Sequence, residues 1–438
     1  MTPEEFRRAG HVLIDWIADY RQQIEQLPVK AQLEPGEVRA SLPSQPPDTA
    51  DSLEALLHDL ETLVVPGVTQ VQHPMHFGWF PSNASLASVL GDVASSGMGT
   101  LGISWESCPS LTEVEEVVCD WLRQLTGLSE AWSGTIHDTA STACVVAMIL
   151  ARERASELAK NAGGLQSAPA PLVVYTTSQA HSSVAKAVQL AGFGNDNLRL
   201  VDEDPYTRAM LPSALASVIE ADLAAGCVPA GIVCSVGTTG TTAMDPVDAI
   251  AAIANRHQTW LHVDAAMAGS AMLLPECRHL WQGVEQADSL AWNPHKWMGT
   301  ILDTTVFYVR DVEFLERVMS TNPAYLRSAA DGKVTQYRDW GIPLGRRFRA
   351  LKLWFHLRLD GPDAIRQRLR RDLENARWFR DQVEAAENWE VVAPVELQTV
   401  CIRHVPVDSS GVPLSRDALD AHTLGWLEKI NASGKAFM

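Results

Sequence analysis

Two short stretches decide the fold of this chain: WLHVDAAMAG (residues 260–269) and SLAWNPHKWMG (residues 289–299). Each begins with a short apolar run and ends in polar residues, Asp264 in the first and His295 with Lys296 in the second. Short apolar runs bounded by turn residues are typical of buried strands. The sequence therefore predicts two strands with a carboxylate and an amine at their carboxyl ends.

The same pattern recurs outward from these stretches. Apolar runs at 172–175, 231–236 and 305–309 predict further strands, and helical segments such as 245–256 separate several of them. Strands alternating with helices predict an α/β domain with a mainly parallel sheet. Because ligands bind beyond the carboxyl ends of the strands in such sheets, we expect Asp264 and Lys296 to line one cleft.

A helix is predicted before the sheet. Thr112 and Glu115 have the spacing of a capping box, which would start this helix. Apolar residues then follow at helical spacing and predict its buried face: Val114, Val117, Val118, Trp121, Leu122 and Leu125.

The two ends of the chain differ from this central part. Thr2 followed by Pro3 predicts the start of a helix, whose apolar stripe we expect to pack on the main domain or on a partner subunit. Residues 320–340 are rich in polar residues and predict a long surface loop.

We expect an N-terminal helical segment at 1–85, a large cofactor domain at 86–350 and a small C-terminal domain at 351–438. The last is expected to be incomplete, because the chain stops where a further strand would begin.

Composition excludes several classes of protein. The 438 residues carry a net charge of −18, which argues against nucleic acid or an anionic membrane as partner. The seven cysteines form no C-x-x-C pair, so we expect reduced thiols, no zinc site and a cytoplasmic protein. The N-terminus lacks a secretion signal, and no apolar run approaches the roughly 18 residues of a membrane span.

Lys296 is the most distinctive of the candidate catalytic residues. Most lysines are solvated surface charges, but this one lies among aromatic and apolar residues directly after a strand. Burial would lower its pKa and make the free amine nucleophilic. Asp264 could bind a metal, a ribose or a protonated ring nitrogen, and taken alone it is equally a capping aspartate.

Two further motifs complete a ligand site. The stretch DTASTA (138–143) opens a helix whose free N–H groups would suit an anion, although an ordinary cap is favoured for this motif in isolation. His181 follows another strand and could be a base, a ligand or a stacking platform, while 235–241 adds a polar loop. An amine, a carboxylate, a histidine and an anion site together fit a cofactor with an aldehyde, a ring nitrogen and a phosphate, namely pyridoxal 5′-phosphate.

Eight motifs also occur in an order that resembles a known family. They are His73-Pro74 with Phe80-Pro81, Gly102–Trp105, Thr139–Ser141, Ala180–Ser183, Gly237–Thr239, His262–Ala266, Asn293–Trp297 and Ile342–Arg349. Over about residues 1–360 the chain resembles the group II pyridoxal-phosphate amino-acid decarboxylases of the aromatic-L-amino-acid type. The resemblance implies a type-I aminotransferase-like α/β fold. That fold has a mainly parallel seven-stranded central sheet, an N-terminal helical segment and a small C-terminal α+β domain.

The resemblance also assigns roles in cofactor binding. Lys296 would hold the cofactor as a Schiff base, Asp264 would pair with the protonated ring nitrogen, and His181 would stack on the ring. The remaining cofactor-binding residues would be Ala140, Ser141, Thr239, Asn293 and His295.

Substrate recognition is implied in the same way. Members of the family are homodimers with the active site at the subunit interface. The substrate pocket would then contain Trp79, Phe80 and Ser82, with Leu101 and Ile103 contributed by the neighbouring chain. Val71, Ile103 and Met267 depart from residues that are usual in the family, so the pocket wall differs in detail.

Tyr325 matches the loop tyrosine that returns a proton to Cα after carbon dioxide leaves. In relatives that oxidatively deaminate their substrate to an aldehyde, this position is typically phenylalanine. The resemblance therefore implies decarboxylation of tyrosine, dopa, tryptophan or phenylalanine to the amine. Three alternatives remain at this point: a decarboxylase of a non-aromatic amino acid, an aldehyde-forming oxidative deaminase, and an inactive cofactor-binding relic.

Overall fold

A computed structural model describes residues 1–80, 83–321, 330–407 and 414–438 of the protein. The chain forms two compact units: residues 1–81 with 404–438, and residues 82–403. The three-domain division expected from the sequence stays a prediction. No helix within the described residues is long and apolar enough to cross a membrane.

The secondary structure alternates as predicted between helices and short strands. The helices are α1 Pro3–Gln23, α2 Glu37–Ser41, α3 Leu53–Asp59, α4 Leu86–Met98, α5 Pro109–Thr126, α6 Ala140–Ala155, α7 Ser182–Leu190, α8 Pro212–Ala224, α9 Val247–Arg256, α10 Val312–Met319, α11 Ala350–Leu359, α12 Pro362–Ala385 and α13 Arg416–Ala432. The strands are β1 Ser133–His137, β2 Leu172–Thr177, β3 Leu198–Val201, β4 Val228–Ser235, β5 Trp260–Asp264, β6 Ser289–Trp292, β7 Thr305–Val309, β8 Trp389–Val391 and β9 Ile402–His404.

A seven-stranded sheet in the order β1-β7-β6-β5-β4-β2-β3 forms the core of the second unit. The pairs from β3 to β6 are parallel, and β7 is antiparallel to both β6 and β1. Since β1 is reversed relative to β7, it runs in the same direction as β6. The predicted α/β fold with a mainly parallel seven-stranded sheet is confirmed, and β8 and β9 form a separate two-stranded sheet.

Helix α6 covers the middle of the large sheet. Its side chains pack with those of β2, β4, β5, β6 and β7 in one apolar cluster that includes Met148, Trp260 and Phe307. The hydrophobic effect favours this burial at roughly 25 cal/mol per Å² of apolar surface. The sheet and its helix therefore form a rigid support for the residues at the strand ends.

The predicted capping box on α5 is wrong. The helix begins at Pro109, and Thr112 lies buried in its first turns. The Glu115 carboxylate is buried and accepts from the backbone N–H of Ile136 at 2.8 Å and from the Thr135 hydroxyl at 2.9 Å. A tertiary contact of this carboxylate has replaced the local cap.

The buried face of α5 also differs from the predicted stripe. Val117 is 45% exposed, whereas the neighbouring acidic Glu115 is inside. The residues that α5 buries are Leu111, Thr112, Glu115, Val118, Cys119, Leu122 and Thr126. The helix prediction is confirmed, but its buried face is rotated by about one residue from the predicted one. The hydrogen bonds of Glu115 with β1 turn this carboxylate inward.

Two predictions outside the sheet have opposite outcomes. Thr2 caps α1 in a capping box with Glu5, which confirms the predicted helix start. The surface loop predicted at 320–340 is wrong at its carboxyl end, because Tyr337 and Trp340 are buried in the main apolar cluster. These two aromatic rings pack edge to face with centroids 5.2 Å apart, so packing explains why this part lies inside.

Candidate active site

The candidate site lies at one edge of the large sheet. Strands β1, β2, β4, β5 and β6 all run in the same direction, so their carboxyl ends meet at this edge. At or after the ends of these five strands come, in that order, the α6 start, His181, the loop with Thr239, Asp264 as the last residue of β5, and the turn with Lys296. The predicted cofactor residues therefore share the edge at which ligands bind in such sheets.

Lys296 lies in a tight turn at Pro294–Met298 that follows β6. Its backbone has φ −93° and ψ −116°, which departs from the helical values of the residues around it. Burial lowers the pKa of its ammonium group, and the nearby negative charge of Asp264 opposes that shift. The amine is thus easier to deprotonate than an ordinary lysine and interacts electrostatically with Asp264.

Asp264 ends β5 and is only 9% exposed. One of its carboxylate oxygens accepts from the backbone N–H of Ala266 at 3.0 Å. Two buried thiols lie within electrostatic reach: burial, with a contribution from the Asp264 charge, raises the pKa of Cys144 and of Cys234. The Asp264 side chain is therefore nearly buried and lies within electrostatic reach of Lys296 and of two thiols.

The residues before Lys296 are held by the start of β7. The Thr305 hydroxyl donates to Asn293 Oδ1 at 2.8 Å. The imidazole of His295 lies with Nδ1 2.8 Å from the Thr304 carbonyl oxygen, and burial lowers the pKa of His295 to about 4. Asn293 and His295 thus fix the turn through two consecutive threonines.

The predicted anion site is the start of α6. Thr139 caps the helix by accepting from the Thr142 N–H at 3.4 Å. The first N–H groups of a helix have no intrahelical partner, and the helix dipole is positive there. Ala140 and Ser141, half-buried in the first turn, therefore present the N–H groups that an anion would bind.

His181 and Thr239 lie at the same edge of the sheet and are more exposed. His181 caps α7, where its Nδ1 accepts from the Ser183 N–H at 3.1 Å, and its ring is exposed. Thr239 is exposed in the loop after β4, whereas the adjacent Thr238 is buried and accepts from the Ala243 N–H at 3.0 Å. Their contacts with a cofactor remain predictions.

The described residues of the predicted substrate pocket divide between the two units. Trp79 and Phe80 belong to the first unit, where the Trp79 indole packs edge to face on Phe437 with ring centroids 4.8 Å apart. Leu101, 55% exposed, and the half-buried Ile103 belong to the second unit. Ser82 and Tyr325 lie outside the described residues.

Some residues of the site were missed by the sequence analysis. Thr305, which holds Asn293, was counted only as part of the run 305–309, and Thr304, which holds His295, was not considered. Asp245 was noted only as part of a polar loop, yet its two carboxylate oxygens accept from the N–H groups of Met210 and Ser235, both at 2.7 Å. Burial raises the pKa of Asp245 to about 6. For Thr304 and Thr305 the available signal was their position at the start of an apolar strand.

The chemistry of these side chains fits pyridoxal 5′-phosphate. An amine of lowered pKa suits an aldehyde, a nearly buried carboxylate suits a protonated ring nitrogen, and a helix start suits a phosphate. All three come from the same rigid edge of one sheet. Within the described ranges, no group of three or more His, Cys, Asp or Glu side chains could hold a metal ion.

Comparison with known proteins gives consistent results. The family model described as the pyridoxal-dependent decarboxylase conserved domain matches residues 35–405. The chain is 40% identical to a phenylacetaldehyde synthase of Arabidopsis thaliana, over all of this chain and 89% of that protein. It is 39% identical to tryptophan decarboxylase 2 of Oryza sativa subsp. japonica, over all of this chain and 88% of that protein.

A solved structure matches the fold equally well. The crystal structure of Oryza sativa TDC with PLP and tryptamine superposes with a TM-score of 0.95 at 35% identity. The match covers all of this chain and 91% of the other. The similarity thus extends across both units of the chain.

Proposed function

The chain belongs to the pyridoxal-dependent decarboxylase family, and from this premise we propose that it decarboxylates an aromatic L-amino acid to the amine. It is a carboxy-lyase whose cofactor is pyridoxal 5′-phosphate. One observation carries the proposed assignment of residues: Lys296, with its lowered pKa, and the nearly buried Asp264 follow neighbouring parallel strands.

The protein's own groups divide the work of binding and catalysis. Pyridoxal 5′-phosphate, when bound, accepts the electron pair released as the bond from Cα to the carboxylate breaks. The Lys296 amine would hold the aldehyde carbon, and the Asp264 carboxylate would keep the ring nitrogen protonated. Ala140 and Ser141 would bind the phosphate through their backbone N–H groups.

Two further groups act on the reacting atoms in this proposal. The exposed ring of His181 offers a flat surface for stacking on the cofactor ring. Tyr325 would return a proton to Cα after carbon dioxide leaves, which requires a hydroxyl group at that position. Asn293, His295 and Thr239 would complete the contacts with the cofactor.

Preference for an aromatic substrate is supported by the relatives and by the wall residues. Relatives covering the whole chain are named as decarboxylases of tryptophan and of tyrosine. Trp79, Phe80, Leu101 and Ile103 are the described members of the proposed wall, and all are apolar or aromatic. A side-chain carboxylate would need a basic partner instead, so an acidic substrate is disfavoured.

A second candidate function is supported by one relative. The phenylacetaldehyde synthase of Arabidopsis thaliana is 40% identical to this chain, so an aldehyde-forming reaction on the same fold has a specific precedent. Tyr325 favours the amine, because aldehyde-forming relatives typically have phenylalanine at this position.

A homodimer with the active site at the subunit interface is part of the proposal. In the first unit, α1 buries none of its residues, and its apolar stripe includes Phe6, which is 62% exposed. In the second unit, α4 exposes Leu86, Leu90 and Val93 at helical spacing, each between 45% and 48% exposed. Contiguous exposed apolar stripes mark interaction surfaces, and a second copy of the chain is the proposed partner.

A cytoplasmic location is also proposed. All seven cysteines are unpaired thiols, and three of the four buried ones lie in the core of the second unit around the sheet and α6. Such thiols persist in a reducing compartment. A redox-sensitive reporter fused to the chain and imaged in its host would test the location.

The test of function is a product assay. Purified protein with pyridoxal 5′-phosphate is given aromatic and acidic L-amino acids, and the amine, carbon dioxide, aldehyde and hydrogen peroxide are measured. We expect amine and carbon dioxide from an aromatic substrate without peroxide. Aldehyde with peroxide would establish the second candidate, and turnover of acidic substrates alone would contradict the aromatic assignment.

A further inference from the structure

The turn that carries Lys296 is held partly by another segment of the chain. Within the turn, the Gly299 N–H donates to the Lys296 carbonyl oxygen at 3.0 Å. The next two carbonyl groups, of Trp297 and Met298, are bound by a side chain of α12. Buried carbonyl groups need a donor. The residues that directly follow the reactive amine are therefore fixed from outside the turn.

Arg368 supplies the donor for both carbonyl groups. Its Nη2 donates to the Trp297 carbonyl oxygen at 2.8 Å and to the Met298 carbonyl oxygen at 2.6 Å. A Cβ atom added to Gly299 would lie 3.1 Å from the same nitrogen, and Gly299 has a φ of +92°. Glycine therefore permits the backbone conformation that ends the turn and leaves room for the guanidinium group.

Asp372 binds the same turn from the next turn of α12. Its Oδ2 accepts from the indole N–H of Trp297 at 2.9 Å, and the Trp297 side chain is buried. Residues four apart on a helix share a face, and Arg368 Nη1 lies 3.7 Å from Asp372 Oδ2. One cation and one anion thus bind the backbone and the side chain of Trp297. We call Arg368 and Asp372 the clamp.

Helix α12 has other contacts that anchor it. The side chains that it buries are Ile365, Leu369, Leu373, Ala376 and Val383. Arg370, on the same helix, forms two hydrogen bonds with the Glu276 carboxylate, at 2.7 and 3.1 Å. Glu276 lies in the short helix Pro275–Trp281 and not in the turn of Lys296. The apolar face and this ion pair hold α12 in place, so the clamp can be removed without undocking the helix.

We propose that Arg368 and Asp372 are positioning residues that fix the direction in which Lys296 presents its amine to the cofactor. This inference rests on the proposed role of Lys296 in holding pyridoxal 5′-phosphate. In that reaction the amine nitrogen forms a bond with the aldehyde carbon, and the aldehyde oxygen leaves as water. The rate depends steeply on how the two reacting atoms are aligned. A helix that follows the predicted cofactor domain therefore sets how fast the cofactor is captured.

Arg368→Met tests the cationic half of the clamp, because it keeps an unbranched apolar side chain and removes every donor. Cofactor-free protein is mixed with pyridoxal 5′-phosphate, and the rate at which visible absorbance develops is measured. Hydrogen exchange of the backbone amides at 295–300 is measured in the same cofactor-free protein. We expect the absorbance to develop about tenfold more slowly, the usual scale for losing a hydrogen bond from a charged group. Exchange in the turn should become faster.

Two substitutions of Asp372 test the anionic half. Asp372→Ala removes the acceptor for the Trp297 indole and should slow the reaction to a similar extent. Asp372→Asn keeps an oxygen that can accept this hydrogen bond, so it should restore most of the rate.

The matched control is Arg370→Met, which removes an arginine with two hydrogen bonds from the same helix. Because Glu276 is its partner and the turn is not, both the rate of reaction and the exchange in the turn should stay at the wild-type values.

The outcomes separate this inference from the proposed function. If wild-type protein gains no visible absorbance with pyridoxal 5′-phosphate, or if Lys296→Ala gains it at the wild-type rate, the proposed function fails. If both behave as expected but Arg368→Met reacts at the wild-type rate, the inference alone fails. It also fails if the reaction slows without faster exchange in the turn, or if Arg370→Met slows it equally. Should Arg368→Met not fold, the two Asp372 variants decide, and equal rates for them would contradict the inference.

Discussion

Two acid–base pairs lie beside the large sheet and are built in different ways. Glu115 and Arg346, beside β1, are joined by a 2.6 Å bond between Oε1 and Nη2. The same guanidinium also donates to the Ile136 carbonyl at 3.0 Å, and the same carboxylate accepts from Thr135 and Ile136. We call this pair closed, because Glu115 Oε1 and Arg346 Nη2 bind each other and the backbone of β1. Glu115 Oε2 and Arg346 Nη1 have no hydrogen-bond partner among the described residues.

We call the pair of Asp264 and Lys296 open, because it lies at the strand ends where the cofactor is proposed to bind. Burial lowers the pKa of Lys296 although Asp264 is near, and Asp264 is hydrogen-bonded to the N–H of its own loop. Desolvation is costly for any buried charge unless close contacts offset it. Direct hydrogen bonds join the first pair to each other and to β1, which makes it structural, whereas the second pair lies at the strand ends where the cofactor is proposed to bind.

The largest expected effect comes from breaking the open pair. Lys296→Ala should lower turnover at least about a thousandfold, because the nucleophilic amine has no substitute. The midpoint of thermal unfolding of the cofactor-free protein should stay at or above that of the wild type, because burial already disfavours the charged form of this lysine. Measuring turnover and the midpoint of thermal unfolding tests whether the open pair serves catalysis and not stability. A large loss of stability would mean that this pair is structural too.

Breaking the closed pair should instead lower the stability of the protein and leave its cofactor binding unchanged. Arg346→Leu leaves Glu115 buried without its cation, which typically costs about 3–5 kcal/mol of the free energy of unfolding. Denaturant unfolding measures this cost. Below the unfolding transition, the remaining folded protein should keep its affinity for pyridoxal 5′-phosphate. Loss of affinity in a stably folded variant would contradict the structural assignment of this pair.

Acid should weaken the fold through the buried histidines near both pairs. Burial lowers the pKa values of His137 and His262 to about 4, below the ordinary 6.5, so the unfolded chain binds more protons between these values. Stability is therefore complete above about pH 6.5 and falls as the pH drops toward 4, by up to roughly 3 kcal/mol for each histidine.

His137→Gln tests this dependence, because its amide nitrogen can still donate to the Trp340 carbonyl. The difference in the free energy of unfolding between pH 7 and pH 4.5 should shrink by roughly 2 kcal/mol in this variant. Asp245, whose pKa is raised to about 6, acts in the opposite direction in both proteins and cancels in the comparison. An unchanged difference would show that His137 does not contribute.

The smallest expected effects come from removing one hydroxyl group near each pair. Thr135→Val removes the 2.9 Å bond to Glu115, and Thr305→Val removes the 2.8 Å bond to Asn293. Each should cost about 1–2 kcal/mol of stability. Only Thr305→Val should also speed release of pyridoxal 5′-phosphate, since only Asn293 precedes Lys296. Equal rates of pyridoxal 5′-phosphate release from the two variants would contradict the assignment of only the open pair to cofactor binding.

Sequence reasoning predicted the parts of the fold that depend on local apolar content. The run 305–309 was predicted with the bounds that the strand has, because all five residues are buried. β1, SGTIH, was missed because it contains a single aliphatic residue, and β3 was missed because it is a partly exposed edge strand. Strands of this kind are specified by their neighbours in the sheet and not by their own composition.

Residues of the candidate site were predicted correctly where a reactive side chain follows an apolar run in the sequence. Lys296 and Asp264 follow apolar runs, so the topology of the sheet brings them together. Glu115 was misassigned to a cap because its partner Arg346 is more than two hundred residues away along the chain. Thr305 looked like any strand residue, since only the folded structure places its hydroxyl against Asn293. Contacts between distant segments leave no local pattern.

The position of β1 has a consequence for biosynthesis. Within the described residues, the strand that leads into α6, the proposed phosphate-binding helix, pairs with β7 alone. β7 is the last strand of the large sheet to be synthesised. A nascent chain that has reached β6 already contains Asp264, yet the start of α6 has no strand to anchor it. We therefore expect that the cofactor can bind only after the ribosome has synthesised β7 and released a nearly complete second unit. Vitamin B6 supply would then influence the yield of mature protein after translation and not during it.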